Sequence, residues 1–173
     1  PLKSEKMKTS EELKELVKEK YSKIAEQEKA LNKASCCGAG TSSAEVYNIM
    51  TDDYTGMDGY NEVADLGLGC GLPTQFARIQ EGDTVIDLGS GAGNDCFIAR
   101  HETGASGKVI GIDFTEAMIN KARTNAEKLG YNNVKFRQGD IEEMPVSDEV
   151  ADVVVSNCVL NLVPNKLKVI REI

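Results

Sequence analysis

The chain has 173 residues, of which 40% are hydrophobic, and a formal net charge of −8 at pH 7. A chain of this size can bury a sizeable core in one fold, whereas its acidic balance argues against nucleic acid or an anionic membrane surface as a partner. No apolar run approaches the roughly 20 residues that a membrane-spanning helix requires, and the charged N-terminus does not resemble a signal peptide.

The first predicted element is a long amphipathic helix over residues 9–34. Apolar residues recur there at helical spacing, and the charged residues between them indicate a solvated face. Thr9 and Glu12 have the spacing of a capping box, in which each side chain bonds the backbone N–H of the other residue. We therefore expect the helix to begin at this pair.

A loop and several short helices are predicted next. Residues 34–43 (ASCCGAGTSS) are small and glycine-rich, which is typical of a loop. Residues 44–80 indicate short helical pieces between glycine turns, one of them beginning at Pro73. We expect residues 1–80 to form an N-terminal helical cap that carries cysteine loops.

Strands and helices alternate from residue 83 onward. Near-continuous apolar strands in such an alternation predict a parallel sheet with helices on both faces, which is an α/β fold. In chain order the predicted elements are the strand in DTVIDL, a helix over 93–102, the strand KVIGIDF, a helix over 115–130 that ends at Gly130, the strands NVKFRQGD and VADVVVSN, and a helix that begins at 164.

A glycine loop, DLGSGAG, joins the first predicted strand to the helix after it. Gly89, Gly91 and Gly93 would let the backbone approach a ligand and let the helix lie close to the sheet. Asp113 ends the next strand, 20 residues after Gly93, where a carboxylate can hold two ribose hydroxyls. The alternative is that the glycines are ordinary turn residues and that Asp113 caps the following helix.

The acids around this loop favour a cationic adenosine ligand. The spacing is G-x-G-x-G rather than the G-x-G-x-x-G of dinucleotide sites, and Asp87 precedes it. An acid pointing into this space would repel phosphate and suit an ammonium group. Asp140 follows the third strand and can accept a hydrogen bond from an exocyclic amine such as adenine N6. A nicotinamide dehydrogenase is therefore disfavoured.

These residues resemble the class I S-adenosylmethionine-dependent methyltransferases. The stretch 87–93 is similar to the first motif of that superfamily, Asp113 to its ribose acid, and 139–141 to its adenine corner. The resemblance implies a Rossmann-like sheet in the order 3-2-1-4, of which this chain holds the first four strands. It implies S-adenosylmethionine as cofactor, and the binding residues would be Asp87, Gly89, Ser90, Gly91, Gly93, Asp113, Phe114, Met118, Asp140, Ile141 and Asn157. Met118 would pack on the adenine face, or else be an ordinary core residue.

One cysteine stands where the fourth predicted strand ends. In an open parallel sheet the ligand lies beyond the carboxyl ends of the strands at the switch point, between strands 1 and 4 in this order. Cys158 would lie there beside the glycine loop, with Asn157 and Asn161 among the apolar residues around it. A buried structural thiol is the alternative, since free cysteine is often buried.

The chain has five cysteines and one histidine, His101. An odd count without framework spacing argues against a disulfide scaffold and for a reducing cytoplasm, where we expect the protein. Cys96, on a helix, is expected to be a packing residue. Cys36, Cys37 and Cys70 lie in small-residue segments. No C-x-x-C zinc spacing occurs, so several thiols without histidine partners suggest a soft, thiophilic ligand such as trivalent arsenic.

Taken with the methyltransferase motifs, the cysteines resemble those of the arsenite methyltransferase family. The similarity is close in 153–166 (VVVSNCVLNLVPNK), 68–73 (LGCGLP) and 85–95, and in the run from Tyr21 to the cysteine pair. The resemblance implies that Cys158 is a direct arsenic ligand and that Cys70 forms a disulfide with another cysteine during turnover. Either Cys36 or Cys37 would match the N-terminal cysteine of the family, with Cys37 slightly favoured.

The expected function is methyl transfer from S-adenosylmethionine to arsenite that is delivered as a thiol conjugate. Arsenic would be the nucleophile, so proximity and orientation would supply most of the catalysis. A thiol reductant, glutathione or thioredoxin, would keep the cysteines reduced. The alternatives are a class I methyltransferase for another small molecule and a non-catalytic thiol module that binds metalloids.

The family resemblance also predicts that this chain is an incomplete enzyme. The family has a further arsenic-binding cysteine and later strands beyond residue 173. Residues 81–173 would then be the N-terminal part of the S-adenosylmethionine-binding domain, with its C-terminal remainder absent. We expect the fourth strand to be an exposed edge that invites pairing with another chain, and turnover to be weak or absent.

Overall fold

The computed structural model describes residues 9–26, 53–68 and 71–173. Four strands alternate with helices, as the sequence predicts, and a long helix precedes them. In chain order the elements are α1 (Ser10–Glu26), α2 (Pro73–Phe76), β1 (Thr84–Leu88), α3 (Asn94–Thr103), β2 (Lys108–Asp113), α4 (Glu116–Leu129), β3 (Val134–Gln138), β4 (Val153–Ser156) and α5 (Lys166–Glu172). Within these described ranges, none of the helices has the length and apolar character needed to span a membrane.

The four strands form one parallel sheet in the order β3-β2-β1-β4, which confirms the predicted topology. Leu88 at the end of β1 pairs with Ile112 on one side and with Ser156 on the other. The carboxyl ends of the strands therefore meet at one edge of the sheet, and the loops after β1, β2 and β4 share that edge.

The fourth strand, Val153–Ser156, is shorter than the predicted strand VADVVVSN. Glu149 has a φ of +56°, which turns the chain just before the strand. Thr84 donates its N–H to the Asp152 carboxylate at 2.8 Å, and the Asp152 N–H donates to the Thr84 carbonyl at 2.9 Å. Regular pairing with β1 therefore begins at Val153, after these two hydrogen bonds between Thr84 and Asp152. Val150 is left 37% exposed.

The sheet is covered on both faces by apolar side chains, as expected for parallel strands. One cluster contains Phe97 and Phe136, whose rings meet edge to face with centroids 5.9 Å apart. The cluster on the other face contains Ile86, Ile110 and the helical Val169. Cys96 is fully buried in the first cluster, which confirms the prediction that it is a packing residue.

The N-terminal helix α1 lies against α4 and begins with the predicted capping box. The Thr9 N–H donates to the Glu12 carboxylate at 2.7 Å, and the Glu12 N–H donates to the Thr9 hydroxyl at 3.2 Å. At the other end Ile24 and Ala25 are buried, and Lys121 of α4 donates to the Ala25 carbonyl at 3.1 Å. The predicted extension of this helix to residue 34 lies outside the described residues.

Candidate functional site

The glycine loop after β1 is shaped by two close contacts and one open position. A Cβ at Gly89 would lie 2.6 Å from the Val159 side chain, and one at Gly93 would lie 2.8 Å from the Phe136 ring. Both residues also have positive φ. Gly91, by contrast, has a φ of +51° and no atom within 4 Å of an added Cβ. The loop is therefore held against the protein at both ends, with open space at its middle.

Asp113, the predicted ribose acid, ties the loop to the end of β2. Its carboxylate accepts from the Gly91 N–H at 3.1 Å and from the Thr115 N–H at 2.8 Å. Burial raises the pKa of Asp113, and the two backbone hydrogen bonds partly offset this rise. The N-cap of α4 is Thr115, so Asp113 lies before the cap rather than at it.

The first pocket at this edge, here called the α1 pocket, brings together five of the predicted binding residues. Asp113 forms part of it, as does Asp140 after β3, and α1 supplies a wall that the motif does not predict. The lining residues are Lys14, Val17, Gly89, Asp113, Phe114, Gly139, Asp140, Ile141, Val159, Leu162, Val163 and Pro164.

Lys14 of α1 reaches the adenine-corner residues and was not predicted from the sequence. Its ammonium group lies 2.6 Å from an Asp140 oxygen and 2.9 Å from a Glu142 oxygen. Burial by itself would raise the pKa of Asp140, but the hydrogen bonds from Lys14 and from the Glu142 N–H lower it overall. Asp140 is therefore held as a carboxylate. No motif marks Lys14, because 126 residues separate it from Asp140.

The second pocket, here called the Asn157 pocket, lies on the other side of Gly89. The Asn157 amide donates to the Tyr54 hydroxyl at 2.6 Å, to the Gly71 carbonyl at 2.9 Å and to the Asp95 carboxylate at 3.0 Å. The lining residues are Tyr54, Ala64, Asp65, Leu66, Leu68, Gly89, Ser90, Gly91, Ala92, Asn94, Asp95 and Asn157. Gly89 and the loop after it thus separate two pockets along one edge of the sheet.

Three buried polar atoms in the Asn157 pocket have no hydrogen-bond partner among the described residues. They are the hydroxyl of Ser90, the side-chain carbonyl oxygen of Asn94 and one carboxylate oxygen of Asp95. Burial raises the pKa of Asp95, although the hydrogen bonds from Asn157 and Tyr54 oppose this. Buried polar groups are normally satisfied, so this set suits a polar ligand that carries N–H or O–H donors. Tyr54 and Asp95 were missed from the sequence. The position of Asp95, in the first turn after the glycine loop, was the available signal for it.

Asp87 lies behind the glycine loop and lines neither pocket. It is 2% exposed, and the Cys96 thiol donates to its carboxylate at 3.2 Å. Burial is the main cause that raises the pKa of Asp87 and of the Cys96 thiol. Direct contact between Asp87 and a cationic ligand stays a prediction.

Met118 is 1% exposed and packs with Ile24, Ala25, Leu66 and Ala92 beneath α1. The structure thus places it in the core that joins α1 to the sheet domain. Its predicted contact with an adenine ring stays a prediction.

Cys158 directly follows Asn157, two residues after the end of β4, as predicted. Its φ of +56° is uncommon for a residue other than glycine, and such backbone conformations cluster at functional sites. The next residue, Val159, is the one that contacts Gly89. Cys158 is disulfide-bonded in this structure, whereas Cys96 is free. The predicted roles of Cys36, Cys37 and Cys70 fall on residues outside the described ranges.

Two pockets that meet at a glycine loop, beyond the carboxyl ends of a 3-2-1-4 parallel sheet, are typical of the Rossmann-like class of nucleotide-binding enzymes. A family model described as a methyltransferase domain matches residues 79–173. The chain belongs to this methyltransferase domain family, and its fold is the methyltransferase fold.

Among its relatives are proteins known as arsenite methyltransferases. The chain is 46% identical over 171 residues to the one from Halobacterium salinarum, an alignment that covers 92% of this chain and 43% of that protein. It is 36% identical over 165 residues to the one from Aquipseudomonas alcaligenes, covering 91% and 45%. The chain therefore spans less than half the length of these relatives.

A solved structure gives the same relationship. The arsenic(III) S-adenosylmethionine methyltransferase from Chlamydomonas reinhardtii superposes with a TM-score of 0.54 at 41% identity, covering 60% of this chain and 37% of that one. The predicted recognition as a homologue of the arsenite methyltransferases is confirmed.

Proposed function

We propose that the chain binds S-adenosylmethionine across the α1 and Asn157 pockets and contains the methyl-transfer centre of an arsenite methyltransferase. The observation that carries this proposal is the position of Cys158. It stands next to Asn157 of one pocket and next to Val159, which contacts the Gly89 wall between the two pockets. We call this boundary between the two pockets, at Asn157, Cys158 and Val159, the seam. A thiol at the seam would be close to both halves of a ligand that occupies both pockets.

The residues present fit S-adenosylmethionine, which supplies, when bound, a methyl group on a positively charged sulfur. In the Asn157 pocket the unpartnered oxygens of Ser90, Asn94 and Asp95 suit the ammonium group of its amino-acid part. In the α1 pocket Asp113 would accept from ribose hydroxyls and Asp140 from the adenine amino group. The fit thus assigns the more polar pocket to the amino acid and the more apolar pocket to the nucleoside.

The residues of this chain would act mainly by orientation. The Asn157 amide, which bonds Tyr54, Gly71 and Asp95, would hold the wall beside the reacting sulfur in one geometry. Trivalent arsenic carries its own lone pair, so no side chain has to remove a proton from the nucleophile. Alignment of a nucleophile with a methyl group can supply a large share of the rate acceleration.

Cys158 would bind arsenic as a thiolate, since soft thiolate ligands suit a soft centre. The disulfide at Cys158 has to be reduced first. Two equivalents of glutathione, or one equivalent of a dithiol thioredoxin, would convert the disulfide to two thiols and leave as an oxidised disulfide. A thiol-conjugated arsenite could then exchange one of its thiols for Cys158 and release that thiol with the proton from Cys158.

The test has two stages, so that cofactor binding and arsenic chemistry are separated. Calorimetric titration of S-adenosylhomocysteine into the reduced chain should show saturable binding. Thiol titration should then show that arsenite protects Cys158. Cofactor binding without arsenite-protected thiols would indicate a methyltransferase for another small molecule. Arsenite binding without cofactor binding would indicate a metalloid-binding module, and either result would contradict the proposal.

Turnover is tested by mass spectrometry of methylated arsenicals. The sample would contain arsenite, glutathione and S-adenosylmethionine with this chain, and a protein of the length of its relatives would be run beside it. Methylated product that depends on Cys158 is expected from the longer protein. Its absence there would contradict the proposed reaction.

A further inference from the structure

We propose that Lys14 of α1 determines base specificity, and that it recognises the adenine edge of the cofactor together with Asp140. This inference rests on the proposed function, because it takes the α1 pocket to be the nucleoside pocket. It assigns to the N-terminal helix a role in selecting the ligand, which neither the glycine loop nor the ribose acid supplies.

The ammonium of Lys14 is fixed on the pocket wall by two carboxylates. It lies 2.6 Å from Asp140 and 2.9 Å from Glu142, and the Glu142 side chain is only 8% exposed. Lys14 is itself 29% exposed and lines the pocket beside Val17, one helical turn along. A lysine held at two points and partly shielded from water has less freedom than an ordinary surface lysine.

The backbone around this pair is held by independent contacts. Asp140 also accepts from the Glu142 N–H at 2.9 Å, and the second Glu142 oxygen accepts from the Asn165 N–H at 2.9 Å. At the far end of α1, Lys121 bonds the Ala25 carbonyl. The position of Lys14 is thus set by the fold at both ends of the helix.

The pair offers a hydrogen-bond donor and an acceptor side by side. A lysine ammonium has three N–H donors, and two of them are used by Asp140 and Glu142; no third partner of this group occurs in the described part of the chain. Each carboxylate oxygen of Asp140 can accept a further bond. Adenine presents the complementary pair, an amino donor at N6 next to an acceptor at N1. Hypoxanthine has the two roles reversed, with an oxygen at C6 and an N–H at N1.

This reversal gives a test that separates base recognition from simple closure of the pocket. The 173-residue chain and its Lys14→Met variant would be titrated with S-adenosylhomocysteine and with S-inosylhomocysteine by calorimetry. Lys20→Met is the matched control, because Lys20 lies on the same helix, is exposed and lines neither pocket. Thermal unfolding of each variant would confirm that it is folded.

The unmodified chain is expected to prefer the adenosine compound. Lys14→Met should weaken its binding about tenfold and should weaken the inosine compound less, so that the preference falls by several fold. Lys20→Met should change neither affinity. An equal loss of affinity for both compounds would show that Lys14 only closes the pocket. Unchanged affinity would show that Lys14 plays no part, and tighter binding would show that it competes with the base for Asp140. Each of these results would overturn the inference. If the unmodified chain binds neither compound, the proposed function itself fails.

Discussion

Two acids on either side of Gly89, Asp140 in the α1 pocket and Asp95 in the Asn157 pocket, are in opposite electrostatic states. In the α1 pocket the ammonium of Lys14 neutralises Asp140, and the pKa of Asp140 is lowered. In the Asn157 pocket Asp95 receives only neutral donors, one of its oxygens has no partner among the described residues, and burial raises its pKa. One acid is thus stabilised by the chain itself, whereas the other is better suited to a cationic ligand.

This difference indicates that the two pockets bind chemically different parts of the ligand. In the α1 pocket Asp140 is already paired with Lys14, so this end of the pocket can hold a neutral base by shape and hydrogen bonds. A pocket with an unbalanced buried acid gains most when an ammonium group enters it, because pairing removes the cost of the buried charge. The seam at Cys158 lies between the pocket for the nucleoside and the pocket for the ammonium group. Substitutions in the α1 pocket, in the Asn157 pocket and at the seam should therefore have separable effects on binding.

The largest expected effect is at the seam. Cys158→Ser should abolish arsenite binding by the reduced chain, because a serine oxygen is a hard, neutral donor that cannot replace a thiolate. Affinity for S-adenosylhomocysteine should stay nearly unchanged, since both pockets keep their lining. Arsenic retained after gel filtration and calorimetry would measure the two effects.

Cys96→Ser is the matched control for that experiment. Cys96 is fully buried and donates to Asp87, so the change should cost some stability while arsenite binding persists. If Cys158→Ser bound arsenite as well as the parent chain does, the proposed role of the seam would be wrong.

The next largest effect is expected at Asp113, which belongs to the α1 pocket and also anchors the loop. Asp113→Ala should weaken S-adenosylhomocysteine binding by roughly 1.5–3 kcal/mol, the scale of charge-assisted hydrogen bonds. The physical reason is the loss of the ribose acceptor together with the bond to the Gly91 N–H. Asp148→Ala removes the same charge from an exposed residue and should leave the affinity unchanged. Equal affinities for both variants on titration would refute the assignment.

Asp95→Asn should raise the stability of the folded chain at pH 7 and weaken ligand binding in the Asn157 pocket. Because burial raises the folded-state pKa of Asp95, its contribution to stability is fully present below the ordinary carboxyl pKa of 3.8 and is lost as the pH rises through the raised value. The asparagine variant has no such loss, so its unfolding midpoint at pH 7 should be higher than that of the parent chain. Its affinity for S-adenosylhomocysteine should be lower, because an ammonium group loses its counter-charge.

Thermal unfolding between pH 4 and pH 7 would measure the first effect and calorimetry the second. Part of the pH dependence should remain in the variant, because the pKa values of Asp87 and Asp113 are also raised by burial. An asparagine variant that is less stable than the parent at pH 7, yet binds equally well, would contradict the division of roles between the pockets.

The sequence predicts one of these regions better than the other for a physical reason. The glycine loop and Asp113 lie within one strand–helix–strand unit, so local spacing places them together. Tyr54 and Lys14 meet their partners across separations of 103 and 126 residues, which no local pattern encodes. The strand order was predictable from the family resemblance. The late start of β4 was not, because the positive φ of Glu149 is not marked by a glycine.

The smallest expected effect concerns the capping box of α1. Thr9→Ala removes the hydroxyl that accepts from the Glu12 N–H and should cost the helix about 1 kcal/mol. Since the helix supplies one wall of the α1 pocket, amide exchange in α1 should become roughly fivefold faster, and S-adenosylhomocysteine should bind up to about fivefold more weakly. Arsenite binding at Cys158 should not change, because the seam and the Asn157 pocket contain no residue of α1. Thr124→Ala, on the exposed side of α4, is a control with the same substitution away from both pockets, at a hydroxyl that donates to the Asn120 carbonyl. If Thr9→Ala weakened cofactor and arsenite binding alike, the helix would act on the whole site, and the separation of the two pockets would have to be given up.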